Sequence, residues 1–163
     1  ETDTPGGWRD HKASGGVIID VPSGEIVTRG LSKPHSPRWY DDQLWVLESG
    51  KGEIGGVDVD SGEVTPVAAL PGFTLGRTFA APYALVGLSE VRESVFRGLP
   101  VAAQQSRECG VWIVDIRSGE ISGFLRFTGA VTEIFDIQVL LGYRWPELID
   151  VGTPISDDAF VIA

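Results

Sequence analysis

The sequence has one cysteine and no methionine in 163 residues. With Cys109 alone, the chain can form neither an intrachain disulfide nor a cluster of thiolate metal ligands. A single cysteine beside a glycine at the start of a predicted strand is more often packed than reactive, so we expect Cys109 in the core. The chain begins with Glu1-Thr2-Asp3-Thr4-Pro5 and lacks methionine, so we expect it to be part of a longer protein.

Positive charge and long apolar runs are also scarce. Thirteen basic residues face 23 acidic residues, which gives a formal net charge of -10 and predicts a soluble, acidic surface. Nucleic acids and anionic membranes require a basic face, so we expect neither as a partner. No apolar run reaches the roughly 18 residues of a membrane span, and no signal peptide opens the chain, so we expect a cytoplasmic protein.

The signatures of several common catalytic sites are absent as well. The sequence has no Gly-rich phosphate loop, no Gly-x-Ser-x-Gly elbow, no His-Glu-x-x-His and no Cys-x-x-Cys motif. These absences leave open whether the chain is an enzyme.

What the chain does contain is a repeat. The tripeptide Ser-Gly-Glu follows a strand-like run with an Asp near its end at three places, centred on Gly24, Gly62 and Gly119. These glycines lie 38 and then 57 residues apart. A period near about 40 residues in a β-rich chain is typical of propeller blades, each a small sheet that cannot bury its faces alone.

Alternating hydrophobicity and turn residues predict about three blades of four-stranded antiparallel meanders. The chain would begin with a third and a fourth strand, continue with two complete blades, and end with the first strand of another. The predicted strands are 15–21 and 25–31, then 36–40, 43–49, 53–59 and 63–70, then 75–80, 83–90, 110–116 and 120–127, and finally 132–140. We expect a single all-β domain over 1–163, with a polar arm at 1–14, an insertion at 91–109 and an irregular segment at 141–158.

This partial β-propeller has too few blades to close, since propellers commonly have about four to eight. Exposed strand edges and apolar faces favour association. We therefore expect a second copy of the chain, or a missing N-terminal half, to complete a ring of about six blades.

Three of the five tryptophans, Trp39, Trp45 and Trp112, lie within predicted strands. Their size predicts that they fill the space between blades. Trp8 and Trp145 lie in less regular segments and are candidates for a sugar-stacking or partner surface.

The connections that enter the predicted axis carry polar residues to one face, where we expect a mouth for a small or anionic ligand. The candidate ligand-binding residues are His35, Ser36, Arg38, Glu48, Arg77, Arg92, Glu93, Glu133 and Asp136. The three arginines either bind a carboxylate or phosphate through forked hydrogen bonds or pair with local acids to tie blades together. Pairing is favoured because acids outnumber the arginines there.

A subset of these residues, His35, Glu48, Glu133 and Asp136, forms a candidate site for a divalent metal. One imidazole with several carboxylates suits Ca, Mn, Zn or Fe. Alternatively, His35 bonds a backbone carbonyl and fixes the bend between its flanking prolines.

Six motifs in order carry a resemblance to a known family. They are Leu31–Trp39, Leu44–Gly50, Leu70–Thr74, Val86–Ser94, Cys109–Trp112 and Glu133–Asp136. With these residues the chain resembles a set of uncharacterised bacterial conserved hypothetical proteins, a domain of unknown function with propeller-like character. The resemblance implies the C-terminal half of a longer protein, and it implies no established reaction. Lys33 stands where this family usually has a methionine.

Three functions are compatible with these observations. The preferred one is a binding or assembly module with a polar axial mouth. The alternatives are a metal-assisted hydrolase or lactonase of the six-bladed type, centred on His35, and a self-assembling structural subunit.

Overall fold

The computed structural model is an all-β chain, and it describes residues 4–90, 96–104, 108–144 and 146. Its strands form three antiparallel sheets. Sheet 1 is a hairpin of β1 (Gly16–Ile19) and β2 (Ile26–Leu31). Sheet 2 is a meander of β3 (Pro34–Tyr40), β4 (Gln43–Glu48), β5 (Glu53–Val57) and β6 (Val64–Ala69). Sheet 3 is a meander of β7 (Phe73–Ala80), β8 (Tyr83–Ser89), β9 (Gly110–Asp115) and β10 (Ile121–Arg126).

The ten strands predicted before residue 128 are all present, and they pair in the predicted order. Two short 3-10 helices, Gly7–Arg9 and Pro100–Ala103, lie in the N-terminal arm and in the insertion. In the part of the chain that the structure describes, no helix has the length and apolar character needed to cross a membrane.

The three Ser-Gly-Glu turns share one geometry. In each, the Asp N–H donates to the Glu carbonyl at 2.9 Å, and the Gly N–H donates back to the Asp carbonyl at 2.8 Å. Gly24, Gly62 and Gly119 have φ of 73°, 73° and 76°, a left-handed conformation that glycine adopts without steric cost. The repeat is therefore structural as well as sequential.

Strand β4 explains how the sheets pack. Leu44 and Val46 point into a core shared with sheet 1, whereas Trp45 and Leu47 point into a core shared with sheet 3. Because both faces are covered, five of its six residues are buried, and its sequence is an apolar run. Sheet 2 is thus the middle of three successive layers.

Two of the three repeated turns also form contacts between sheets. Each lies against the unpaired bulge residue in the last strand of the preceding sheet, Gly62 against the Val27 carbonyl and Gly119 against the Val67 carbonyl. A Cβ added to either glycine would overlap that oxygen. At Gly24, by contrast, an added Cβ would meet nothing within 4 Å.

We expect Gly119→Ala to lower the free energy of unfolding by about 2–4 kcal/mol. A left-handed backbone is unfavourable for alanine, and the added Cβ also overlaps the Val67 carbonyl. Gly98→Ala is the matched control, since Gly98 has φ 85° with open space around it. It should cost only the backbone contribution of about 1–2 kcal/mol. Urea unfolding measures both, and equal losses would contradict the role of the contact.

The predicted strand 132–140 is wrong, because no strand occurs within residues 127–144. The segment does lie beside β8: the Glu90 N–H donates to the Thr132 carbonyl at 2.9 Å, and the Ser89 hydroxyl bonds the Ile134 N–H at 2.8 Å and its carbonyl at 3.2 Å. A strand requires a ladder of backbone partners, and no described strand pairs with this segment.

The expected core residues divide into two groups. Cys109, Trp45 and Trp112 are buried, at 2%, 6% and 4% exposed, which confirms their predicted packing. Trp39 is 61% exposed, so its expected place between sheets is wrong. Burial also raises the pKa of the Cys109 thiol.

Candidate functional site

The N-terminal arm and the start of β3 enclose a cavity of about 310 Å³, called cavity A here. Its described lining residues are Trp8, His11, Lys12, Gly15, Gly16, Lys33, Pro34 and His35. They include both histidines and two of the three lysines of the chain, and none of them is acidic. In a chain with a net charge of -10, this is a local concentration of positive charge.

A second space of about 210 Å³, cavity B, lies on the other side of Lys33 and His35. Its described lining adds Phe73, Leu75, Ser89, Glu90, Phe96, Glu133 and Phe135 to those two residues. The wall is mixed, because Glu90 and Glu133 oppose the basic groups. Cavity B is therefore less suited to an anion than cavity A.

Lys33 lies between the cavities, with its ammonium group against aromatic rings. The Nζ atom is 5.0 Å from the Trp8 ring centroid, 5.1 Å from Phe96 and 5.4 Å from Phe73. Cation–π attraction of this kind is worth about 0.5–2 kcal/mol per contact. Burial, and then the charge of Lys12, lowers the pKa of Lys33.

His35 is fixed by hydrogen bonds at Nδ1. This atom lies 3.0 Å from the Lys33 carbonyl and 2.8 Å from the Ser49 hydroxyl. Since Ser49 donates its own proton to the Thr74 carbonyl, we assign the proton of the pair to Nδ1 of the imidazole. The ring is thus held in one tautomer, with Nε2 unprotonated.

The surroundings of His35 favour the neutral imidazole over the charged one. Burial is the main cause that lowers the pKa of His35, and the nearby Lys33 charge lowers it further, against the opposing bond to the Lys33 carbonyl. An edge-on contact with the Phe73 ring, 5.6 Å between centroids, completes its packing. The carbonyl bond expected for a structural histidine is therefore present, although the same residue lines both cavities.

Three other predicted residues have different surroundings. Ser36 has φ 50° and donates to the Leu75 carbonyl at 2.7 Å, which connects sheets 2 and 3. Arg38 is exposed. Arg77 is fully buried, and its Nη2 donates to the Ser36 and Trp45 carbonyls, both at 2.7 Å. Arg77 therefore binds backbone oxygens rather than the acids predicted as its partners.

The carboxylate of Glu48 is occupied by contacts within its own sheet region. Glu48 is only 3% exposed, and its carboxylate accepts hydrogen bonds from the Ser32 N–H at 2.9 Å and from the Lys51 ammonium at 2.6 Å. Among the residues described, no group of three or more His, Cys, Asp or Glu is arranged to hold a metal ion. The four candidate metal ligands are therefore not gathered into one such group.

The remaining candidates lie further along the chain. Glu133 lines cavity B, and Asp136 accepts the Ile137 N–H at 2.9 Å while its backbone lies against Gly76. Arg92 and Glu93 lie outside the described residues. Among the predicted residues that the structure describes, His35 lines both cavities and Glu133 lines cavity B, and the others line neither.

Sequence reasoning missed Lys33, Lys12 and the aromatic rings around Lys33. The available signal was the rarity of lysine: only three occur, and two lie close to the only two histidines. Nothing in the sequence indicated that the N-terminal arm would return to the start of β3.

A family described as a domain of unknown function (DUF4915) matches residues 1–149. The chain belongs to this family. The domain of unknown function expected from its motifs is thereby confirmed, whereas a bacterial origin stays a prediction. No curated protein matches the sequence of this DUF4915 chain.

Two designed proteins are similar to the DUF4915 chain in structure. The computationally designed Ika4 protein shares 12% identity at a TM-score of 0.48, over 79% of this chain and 70% of the design. The computationally designed Ika8 protein shares 12% identity at a TM-score of 0.46, over 79% of this chain and 35% of the design. This chain therefore spans about a third of the Ika8 chain.

Proposed function

We propose that this chain is a binding module whose cavity A takes up a small anion, such as a phosphate, sulfate or carboxylate group. The observation that carries the proposal is the composition of that cavity, with two lysines, two histidines and no acid among its described lining residues. Anions bind where positive groups converge and water is partly excluded.

The site is preorganised for such a ligand. The ammonium of Lys33 is held by three rings, and the imidazole of His35 is held at Nδ1, so neither side chain has to be ordered on binding. Binding that orders fewer side chains costs less entropy. The exposed Trp8 ring offers a flat apolar surface for the rest of the ligand.

We further infer that the three sheets are blades of a β-propeller, which either a second copy or further blades of a longer chain would complete. Three features support this: the packing of each sheet on the next, the shared geometry of the Ser-Gly-Glu turns, and the short connections between sheets. In such a ring, cavities A and B would lie near one mouth of the axis.

Replacing Lys33 with methionine should weaken sulfate binding about tenfold to hundredfold, since a hydrogen bond to a charged group is worth about 1.5–3 kcal/mol. Methionine keeps a flexible apolar side chain against the three rings, so the cavity should stay packed. Calorimetric titration with sodium sulfate at low ionic strength measures the effect. Arg126→Met on β10 is the control, because it also removes one positive charge but lies outside cavity A.

The pH dependence tests His35 separately. Because burial lowers the pKa of His35 below 6.5, the imidazole gains its charge only as the pH falls below that value. Sulfate keeps its own charge there, so its affinity should rise as the pH is lowered from 7 to 5. In His35→Asn this rise should be smaller. Equal sulfate affinity in wild type and Lys33→Met would overturn the proposed site.

A further inference from the structure

Sheet 1 presents an apolar face that its repeat equivalents bury. Ile19, Val57 and Val114 each precede the Asp of a Ser-Gly-Glu turn, so they occupy the same place in their sheets. Val57 is 1% exposed and Val114 fully buried, because each faces the preceding sheet. Ile19 is 50% exposed: it borders an open space that Trp39 and Leu44 of sheet 2 also line, and no described sheet precedes it.

Sheet 3 has an uncovered apolar face on the side away from sheet 2. On sheet 2, Ile54 pairs with Ala68 and both are buried against sheet 3. Their equivalents by register, Val111 and Leu125, pair in the same way on sheet 3. Val111 is half-buried and Leu125 is 56% exposed, since no described sheet covers them.

The turn contacts repeat this pattern. Gly62 and Gly119 lie against the bulge carbonyls of Val27 and Val67, in the last strand of the preceding sheet. Strand β10 also has an unpaired bulge residue, Ser122, which lies two residues after the Glu of its turn as Val27 does, and no described turn lies beyond it. The turn at Gly24 has open space where the other two meet a bulge. One chain thus carries an unmatched turn and an unmatched bulge.

The segment after β10 shows which part of the far face is vacant. The Ser89 contact with Ile134 repeats the Ser49 contact with Thr74, so this segment lies where the first strand of a next sheet would begin. It covers sheet 3 at Gly87, whereas the far face of β9 is only half-buried and Leu125 on β10 is exposed. A sheet at that position would still lack its third and fourth strands. Sheet 1 is such a pair, because β1 and β2 flank a Ser-Gly-Glu turn as β5 and β6 do.

We propose that two copies of this chain associate head to tail, with sheet 1 of each packed on β9 and β10 of the other. Ile19 would cover the Val111 and Leu125 face, and the Gly24 turn would meet the Ser122 bulge. A second copy is the occupant because both halves of the contact belong to one chain, and a twofold axis satisfies both at once. The proposal rests on the propeller arrangement inferred above, and it is independent of the ligand in cavity A.

The first test compares two glycines that have similar backbone angles and open surroundings, one at the proposed contact and one away from it. Asparagine tolerates a left-handed backbone, so Gly24→Asn should fold but obstruct the contact with the bulge. Gly98→Asn has a similar φ and equally open space, and it lies far along the chain in the insertion. By analytical ultracentrifugation we expect wild type and Gly98→Asn at twice the chain mass of 17.5 kDa, and Gly24→Asn at that mass.

The second test is complementation. Ile19→Glu and Leu125→Lys should each be monomeric, because each places a charge against an apolar face at both junctions. Mixed in equal amounts, they should form a dimer, since one junction is then wild type and the other pairs Glu with Lys. A monomeric wild type, a dimeric Gly24→Asn, or a mixture without dimer would overturn the proposal. Sulfate titration of the monomeric variants shows separately whether cavity A still binds.

Discussion

Replacing Trp112 with alanine should remove about 3–5 kcal/mol from the free energy of unfolding, a large part of the total of about 5–15 for a typical domain. Trp112 is 4% exposed in the core between sheets 2 and 3 and stacks on Phe124 at 5.6 Å between centroids. Its loss leaves a cavity that the two meanders can only partly close. The measurement is the urea midpoint, followed by far-ultraviolet circular dichroism.

Trp39→Ala provides the control with the same chemical change. Trp39 is 61% exposed at the outer end of β3, so its removal should cost less than about 1 kcal/mol. The pair therefore separates burial from side-chain size. Equal losses in the two variants would contradict the layered packing of sheets 2 and 3.

Trp112 and Trp39 both lie in predicted strands, so their different burial shows what the sequence can and cannot predict. The strands and their turns were predictable because their signals are local: alternation, and an Asp followed by Ser-Gly-Glu. Which face of a strand meets another sheet depends on residues far away in sequence. Side-chain size and a place in a predicted strand therefore do not separate Trp45 from Trp39, although their exposure differs by a factor of about ten.

The segment 132–140 shows a second limit. Its composition is that of a strand, and the structure places it beside β8 as the repeat predicts. Strand structure, however, requires a pairing partner, and no described strand pairs with it. Local sequence thus indicated the position of the segment but not its conformation.

The candidate site was predictable only in part. His35 stood out because histidine is rare, and it does line both cavities. Glu48 was expected to face a ligand, but the buried Ser32 N–H requires an acceptor, and the carboxylate supplies it. Such a requirement becomes visible only when the backbone path is known.

Arg77 is the residue whose role differs most from the expectation, and its energetics can be estimated. Burial, with a smaller contribution from the Arg38 charge, lowers the pKa of Arg77 to about 9. From an ordinary value of 12.5, this corresponds to a cost of about 5 kcal/mol for keeping the charge inside the protein. Two charge-assisted bonds from Nη2 to the Ser36 and Trp45 carbonyls, and the Phe79 ring 5.1 Å away, act in the opposite direction. Nε and Nη1 have no hydrogen-bond partner among the described residues, so the buried charge is only partly compensated.

Two substitutions at Arg77 should consequently differ. Arg77→Ala leaves a cavity and two unbonded carbonyls, so we expect a loss of about 3–5 kcal/mol. Arg77→Met also leaves the two carbonyls unbonded, but it fills most of the volume and removes the desolvated charge, so it should stay within about 1.5 kcal/mol of wild type. Urea unfolding of both variants at pH 7 shows whether Arg77 stabilises the fold mainly by filling space or mainly by its charge. If methionine destabilises as much as alanine, the two hydrogen bonds outweigh the desolvation of the guanidinium, and Arg77 holds sheets 2 and 3 together through its charge.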